Sequence, residues 1–192
     1  MTSAADPFNQ PDNRFNTLED WTWVGCYGGY YLTSDAMQTA GFEHGFFTRL
    51  WHNRGPDALA AYLSAGVSVH RPQQVHGNLV LNAEDASASP WPEADGLVSD
   101  RGGQSLWVCG ADCTPVLLAD PSSGHVAACH AGWRGVASGI LPAAIRRLVT
   151  RGAKPEHLIV ALGPAVSGAH YQVETDVAEQ IGQALQSDRS LA

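Results

Sequence analysis

Short apolar runs bounded by turn-forming residues fill the middle of this 192-residue chain. They are only three to five residues long, and Asn, Asp, Gly, Pro and Ser separate them, which is typical of strands joined by tight turns. The predicted strands cover residues 67–70, 79–81, 96–99, 106–109, 116–119 and 125–129. Many short strands clustered in the middle of the chain favour a layered β-structure.

Other patterns flank these strands. Residues 21–32 predict an edge strand and a turn, and residues 42–49 and 157–162 predict further strands. Helices are predicted from Pro56 to a stop at Gly66, over 138–151 and over 174–185. The whole pattern predicts an α+β fold, a layered mixed β-sheet or β-sandwich flanked by helices, and not a doubly wound sheet.

Composition limits the organisation and the partners. With 44% apolar residues, the length suits one domain, predicted over 17–192 after a disordered segment at 1–16. The net charge of −8 disfavours nucleic acid and anionic membranes as general partners, although a local basic pocket stays compatible with it. Neither a secretory signal nor an apolar stretch long enough to span a membrane is found.

The four cysteines, Cys26, Cys109, Cys113 and Cys129, include no Cys-x-x-Cys pair and are too few for a secreted disulfide scaffold. Reduced thiols in a cytoplasmic protein fit them best. Cys109 lies inside an apolar run, so we expect it in the core. A closed metal site made of Cys109, Cys113, Cys129 and His130 is a weaker alternative.

Three possible metal ligands stand at the ends of predicted strands. Cys113 precedes one apolar run, His130 follows another, and His76 precedes a third. Three protein ligands are typical of catalytic zinc, which keeps a position for water or substrate. Their spacing alone favours a different interpretation, in which Cys113 is a small buried hydrophobe and the histidines are hydrogen-bonded strand ends.

Several motifs make the chain similar to a known family, and the similarity runs from about residue 41 to about residue 178. The motifs occur in this order: Gly45-Phe46-Phe47-Thr48-Arg49, Gln74-Val75-His76-Gly77, Asp95-Gly96-Leu97-Val98, Ala111-Asp112-Cys113-Thr114-Pro115, His130-Ala131-Gly132-Trp133-Arg134-Gly135 and Ala161-Leu162-Gly163-Pro164-Ala165. Together they resemble the YfiH-like family, in its cyanobacterial type. That family is described both as polyphenol oxidases with a laccase domain and as purine nucleoside phosphorylases with adenosine deaminase activity.

The resemblance implies a YfiH-like fold and a metal bound by His76, Cys113 and His130. It also implies a zinc-dependent phosphorylase that uses inorganic phosphate to cleave adenosine, inosine, guanosine or methylthioadenosine to ribose 1-phosphate. A homo-oligomer is compatible with it. The loop after Arg49 departs from the family pattern, and the family usually continues for several tens of residues beyond the last predicted helix, so we expect a shortened C-terminus.

Five more residues are candidates for the chemistry. Asp112 could transfer protons, and Arg49 and Arg134 could bind phosphate. Trp133 and Tyr171 could stack on a base. Each has a competing structural role: a turn acceptor for Asp112, salt bridges for the arginines and core packing for the aromatic residues. His170 is a further pocket candidate, and Gly132 and Gly135 would either permit a turn or let the backbone approach a ligand closely.

Two other functions stay open beside the nucleoside phosphorylase. One is a copper oxidase of phenols, and the other is an inactive metal-binding remnant. Multicopper oxidases need more histidine ligands than the eight in this chain, and no His-x-His pair occurs. A single His-Cys-His site could bind copper, but one ion cannot store the electrons for four-electron reduction of oxygen. The residues therefore favour nucleoside chemistry.

Overall fold

The computed structural model describes residues 18–26, 29–51 and 53–189. The disorder predicted for 1–16 lies outside these residues. The chain divides into two compact units, Met1–Ala65 and Gly66–Ala192, which are taken in turn. The single catalytic domain expected over 17–192 stays a prediction.

The described residues of the first unit form an antiparallel sheet and two helices. The strands, in spatial order, are β1 (Trp21–Cys26), β2 (Gly29–Ser34) and β3 (Phe46–Phe47). The helices are α1 (Asp35–Thr39) and α2 (Pro56–Leu63), and a helical turn covers Arg49–Trp51. The edge strand predicted within 21–32 is confirmed as β1, and a second strand, β2, begins at Gly29. The predicted turn falls between them, outside the described residues. Helix α2 begins at Pro56 as predicted.

The strand predicted over 42–49 was too long. His44 explains part of the difference, because its Nε2 accepts the N–H of Ser34 at 2.8 Å and its Nδ1 lies 2.8 Å from the carbonyl oxygen of Phe42. These contacts replace ladder hydrogen bonds before Phe46, so only two residues pair with β2.

The described residues of the second unit form seven strands in two sheets and three helices. The strands are β4 (Ser68–His70), β5 (Val80–Asn82), β6 (Gly96–Val98), β7 (Gln104–Leu106), β8 (Thr114–Ala119), β9 (Val126–Ala131) and β10 (Ile159–Leu162). The helices are α3 (Trp133–Ala137), α4 (Ile140–Val149) and α5 (Thr175–Arg189). β4 and β7 pair in parallel, and the other five form a sheet in the order β10-β8-β9-β6-β5.

The five-stranded sheet is mixed, because β5 and β6 are parallel and its other pairs are antiparallel. Helix α4 covers one face of it. Ile140, Ala144 and Leu148 recur every four residues, so they share one side of the helix, and all three are fully buried against the sheet. Burial of a side chain such as Leu148 contributes about 2 kcal/mol. The α+β fold with a mixed sheet and flanking helices is confirmed.

The helix predicted over 138–151 is in fact preceded by a separate helix. Gly139 has a φ of 84°, in the left-handed region, which breaks the helical path between α3 and α4. Helix α4 begins at Ile140, so Pro142 lies in its first turn, where a missing N–H costs nothing.

Two further predictions about the second unit were wrong. The strand expected over 106–109 is β7, which begins and ends earlier, and Cys109 is exposed instead of lying in the core. The strand at 157–162 and the helix at 174–185 are confirmed as β10 and α5 with shifted ends. Among the described residues, no helix is long and apolar enough to cross a bilayer.

Candidate metal centre

Strand β9 carries His130, and the two strands that flank β9, β8 and β6, bring other residues close to it. On one side, Pro115 of β8 is the register partner of His130, so Cys113, two residues earlier, points to the same face. On the other side, Gly96 of β6 pairs with Cys129, and the N–H of His130 donates to the carbonyl oxygen of Asp95 at 2.7 Å. Sheet register alone therefore gathers Cys113, His130 and Asp95.

Asp95 is bonded to the ring of His130. Its side chain is 0% exposed and that of His130 is 5% exposed, and Oδ1 lies 2.8 Å from Nδ1. An ionised carboxylate can only accept hydrogen bonds, so Nδ1 carries a proton, and in the neutral ring the lone pair is then on Nε2. The imidazole is thus prepared to bind a metal through Nε2, the arrangement found for many histidine ligands.

The same carboxylate also holds the segment that carries His76. Oδ1 accepts the N–H of His76 at 3.0 Å, and Oδ2 accepts those of Val75 at 3.2 Å and Gly77 at 2.7 Å. His76 has a φ of 60°, a left-handed conformation that costs a non-glycine residue about 1 kcal/mol or more. The three hydrogen bonds to Asp95 offset that cost and fix the position of His76.

These bonds also set the pKa of Asp95. Burial acts to raise it, but the hydrogen bonds from His130 and from the three backbone N–H groups outweigh burial, so the pKa lies below its usual value. The carboxylate is therefore ionised at neutral pH.

His76, Cys113 and His130 form one donor set. Their ligand atoms all lie within 4.8 Å of one another, and the two imidazole rings are 4.9 Å apart at 81°, so they do not stack. A tetrahedral zinc ion spaces such donors about 3 to 4 Å apart, which modest side-chain rotations can provide. His76 is exposed, Cys113 half-buried and His130 buried. The residues fit a single ion with one side open to solvent.

Two glycines allow this packing. A Cβ on Gly132 would lie 3.1 Å from Cys113 Sγ and 3.3 Å from His76 Cδ2, and one on Gly135 would lie 2.8 Å from the carbonyl oxygen of Gly77. The φ of Gly132, −72°, is accessible to any residue. Gly132 is therefore needed for space at the donor set and not for a turn.

Gln74 ties the His76 segment to the chain that leads into Cys113. Its Nε2 donates to the carbonyl oxygen of Cys109 at 2.8 Å, and its Oε1 accepts the N–H of Cys109 at 2.6 Å. The Cys109 thiol is exposed and outside the donor set, and Cys129 is buried beneath Gly96, where its pKa rises to about 12. The closed site with Cys109 and Cys129 is thus not formed in the part of the chain that is described.

The Cys113 thiol has a raised pKa without metal. Burial is the largest cause, and the negative charges of Asp112 and Asp95 add to it. Asp112 itself is exposed, and its backbone carbonyl accepts the N–H of Val166 at 3.1 Å. Its carboxylate is therefore near the donor set and open to solvent.

Trp133 and Arg134 follow the donor set directly. The Arg134 guanidinium lies 4.3 Å from the centre of the Trp133 ring, a cation–π contact. Both residues line a groove of about 550 Å³ between α3 and α5, together with Ala137, Ser138, Gln180, Gln183 and Ala184. The groove offers an aromatic ring, a cation and amide groups beside Gly132.

The structure places the other candidates elsewhere in the chain. Tyr171 is 42% exposed and follows the helical turn Gly168–His170, in which His170 Nδ1 lies 2.9 Å from Ser167 Oγ. Arg49 starts the turn Arg49–Trp51 of the first unit. The substrate roles of Arg49 and Tyr171 stay predictions.

Asp95 and Gln74 are the residues that sequence reasoning did not assign to the site. Both lie in motifs that carry the family resemblance. Asp95 could have been found from its place directly before an apolar strand. A metal-binding histidine commonly donates its other ring N–H to a carboxylate, so an acidic residue at such a strand end is a candidate for that role.

Two bacterial proteins similar to this chain are named purine nucleoside phosphorylase. A Synechocystis protein named purine nucleoside phosphorylase slr1573 is 40% identical over 90% of this chain and 67% of its own length. A Deinococcus radiodurans purine nucleoside phosphorylase is 42% identical over 64% of this chain and 47% of its own length. The chain thus spans two thirds of one relative and about half of the other.

Two solved structures resemble this chain in fold, and one family model matches its sequence. YlmD from Geobacillus stearothermophilus superposes with a TM-score of 0.70 at 27% identity, covering 84% of this chain and 71% of that one. The Neisseria meningitidis protein NMB0706 gives 0.61 at 26% identity, with 90% and 74% covered. Residues 52–191 match the family model described as multi-copper polyphenol oxidoreductase laccase. This match covers most of the sequence, so the chain belongs to that laccase-domain family, the YfiH family.

Proposed function

We propose that this chain is a zinc-dependent purine nucleoside phosphorylase with an associated adenosine deaminase activity. The observation that carries the proposal is the His76, Cys113 and His130 donor set in a chain 40% identical to a protein named purine nucleoside phosphorylase. The substrates are purine nucleosides, such as adenosine, inosine, guanosine and methylthioadenosine, together with inorganic phosphate.

In phosphorolysis a phosphate oxygen forms a bond to ribose C1′ while the bond from C1′ to the base nitrogen breaks. The electron pair of that bond leaves with the purine, which takes up a proton, and ribose 1-phosphate is the other product. A bound zinc ion supplies a Lewis acid at the site. The protein must otherwise bind the phosphate dianion, hold the base and provide a proton donor.

The residues that follow His130 in sequence, and the groove that they line between α3 and α5, suit these tasks. Arg134 can bind phosphate through its guanidinium, and the ring of Trp133 offers a face for the purine. The amides of Gln180 and Gln183 line the same groove and can bond to the edge of a base. Arg49 and Tyr171 are further proposed contacts to phosphate and base.

Asp112 is the proposed proton carrier. Asp112 is exposed and directly precedes the ligand Cys113 in sequence. Its negative charge helps to raise the pKa of the Cys113 thiol. Zinc deaminases that act on adenine use histidine and cysteine ligands with a separate carboxylate that moves protons. The same pairing supports the proposed conversion of adenosine to inosine.

The family description favours a second candidate, a copper-dependent oxidase of phenols. Among the described residues, only one group of three or more possible ligands occurs, so the described part of the chain offers a centre for one ion. Oxygen reduction to water needs four electrons, which a single copper ion does not store. The donor set therefore supports phosphorolysis better.

The deciding experiment is an anaerobic assay of adenosine and inosine on the chain loaded with zinc or with copper, with and without phosphate. We expect ribose 1-phosphate only with phosphate present. Free ribose formed at a rate indifferent to phosphate would make the protein a hydrolase. In a parallel aerated assay with a phenol, oxygen consumption that is greatest in the copper form would make it an oxidase.

Matched variants locate the activity. Cys113→Ser should lose most zinc and turnover, whereas Cys109→Ser, at an exposed thiol outside the donor set, should keep both. Arg134→Ala should raise the KM for phosphate more than the KM for nucleoside. Zinc binding without turnover of any purine nucleoside would identify a metal-binding protein with no catalytic role.

We also propose a cytoplasmic location, which the reduced state of the described thiols Cys109, Cys113 and Cys129 supports.

A further inference from the structure

The carboxylate of Asp95 contacts two separate parts of the donor set at once. One is the ring of His130, on a central strand, and the other is the backbone of residues 75–77, which carries His76. It accepts four hydrogen bonds from protein groups and is 0% exposed. No other described side chain is bonded to both of these parts.

We propose that Asp95 is a positioning residue that sets both histidine ligands for the metal, His130 through its ring tautomer and His76 through its backbone. This inference rests on the proposed metal centre and adds a residue that is not itself a ligand. It concerns affinity for the ion and the geometry of the ligands, and it holds whichever nucleoside is the substrate.

The chemistry of the carboxylate explains why an amide cannot replace it. Oδ1 accepts from His130 and His76, and Oδ2 accepts from Val75 and Gly77. An asparagine has one accepting oxygen and one donating nitrogen. In either orientation its NH₂ group would face two N–H donors, so either the ring of His130 or the turn at residues 75–77 loses its acceptor.

The backbone geometry adds a second reason. Three successive N–H groups converge on one carboxylate, as in an anion-binding nest, and the middle residue, His76, has a φ of 60°. Without the anion, nothing among these contacts holds the left-handed conformation. His76 is exposed, so its side chain then leaves the donor set readily.

The test compares Asp95→Asn with Asp120→Asn. Asp120 is also 0% exposed, and its Oδ2 accepts the N–H of Ser123 at 2.9 Å. It lies at the other end of the β8 and β9 pair. Zinc dissociation constants are measured by competition with a chromophoric chelator. We expect Asp95→Asn to weaken zinc binding about 10- to 100-fold and Asp120→Asn to change it by less than about twofold.

A second measurement does not depend on how a variant folds. Nitrogen-15 NMR of the histidine rings in the zinc-loaded wild-type chain reports which nitrogen of His130 carries the proton. We expect Nδ1–H. An Nε2–H tautomer, equal losses in the two variants, or unchanged zinc affinity in Asp95→Asn would each overturn the inference.

Both measurements are made without nucleoside, so they separate this inference from the proposed function. A chain that behaves as expected here but cleaves no nucleoside contradicts the phosphorylase and leaves the role of Asp95 intact. A wild-type chain that binds no zinc contradicts both.

Discussion

His130 and His76 reach the same donor set from two different kinds of structure. His130 is 4% exposed and is fixed by the pairing of β9 with β8 and β6. His76 is exposed, lies in a turn before β5 and has a left-handed backbone. The sheet thus positions one ligand through its register, whereas the other depends on a few hydrogen bonds. A site built this way has a rigid side and an adjustable side.

The largest expected effect comes from removing each ligand in turn. His130→Ala should weaken zinc binding more than about 100-fold, because it removes a donor and takes from the buried Asp95 the ring N–H that bonds to its Oδ1. His76→Ala should cost less, because water can replace a donor at an exposed position. His125→Ala, which alters the residue directly before β9 and lies outside the donor set, is the control. Zinc titrations would contradict the comparison if His76→Ala cost more than His130→Ala.

Zinc affinity should also rise with pH. The pKa of Cys113 is raised by burial and by the charges of Asp112 and Asp95, so the free thiol is protonated at neutral pH and zinc must displace that proton. The apparent affinity should therefore increase about tenfold for each pH unit between about pH 7 and 8.5 and fall as pH decreases. Titrations in which the affinity is independent of pH would show that the thiolate is not a ligand.

Gly132→Ala tests how much free space the donor set has beside Gly132. The new Cβ would lie 3.1 Å from Cys113 Sγ and 3.3 Å from His76 Cδ2, so the donors must separate, and we expect zinc binding about tenfold weaker. Gly102→Ala, where a Cβ meets nothing within 4 Å, should bind zinc as the wild type does. Equal affinities in the two variants would mean that the donor set tolerates an added methyl group.

The smallest effect tests the adjustable side. Gln74→Ala removes two hydrogen bonds to the backbone of Cys109 and should weaken zinc binding only a few-fold, since Asp95 still holds the turn. Gln104→Ala also removes side-chain contacts to backbone, at Asp100 and Arg101, but away from the donor set. Gln104→Ala should leave zinc affinity unchanged. If both variants lost the same zinc affinity, the effect of Gln74→Ala would be due to lower overall stability.

The same two kinds of structure explain what the sequence could predict. Cys113 and His130 lie at the ends of apolar runs joined by a turn, so they approach each other once the two strands pair, as β8 and β9 do. The position of His76 depends on the side chain of Asp95, which lies 19 residues away in sequence. No periodicity encodes such a contact, and only the family resemblance assigned His76 to the metal.

Errors about secondary structure have a similar origin. The run at 106–109 is apolar enough for a strand, but the backbone of Cys109 bonds to the side chain of Gln74 and not to a neighbouring strand. Helix α3 was not predicted because Gly132, Gly135 and Gly139 are typical of turns. Gly135 is instead helical and buried against the backbone of Gly77, a tertiary contact that local propensity does not include.

X-ray absorption at the zinc edge identifies the atoms bound to the ion itself. We expect one sulfur ligand at about 2.3 Å, two imidazole nitrogens at about 2.0–2.1 Å and one further light atom from solvent for each zinc in the wild-type chain. Cys113→Ser should lose the sulfur scatterer, and Cys109→Ser should keep it. Two or more sulfurs per zinc, or a sulfur that persists in Cys113→Ser, would contradict a centre formed by His76, Cys113 and His130.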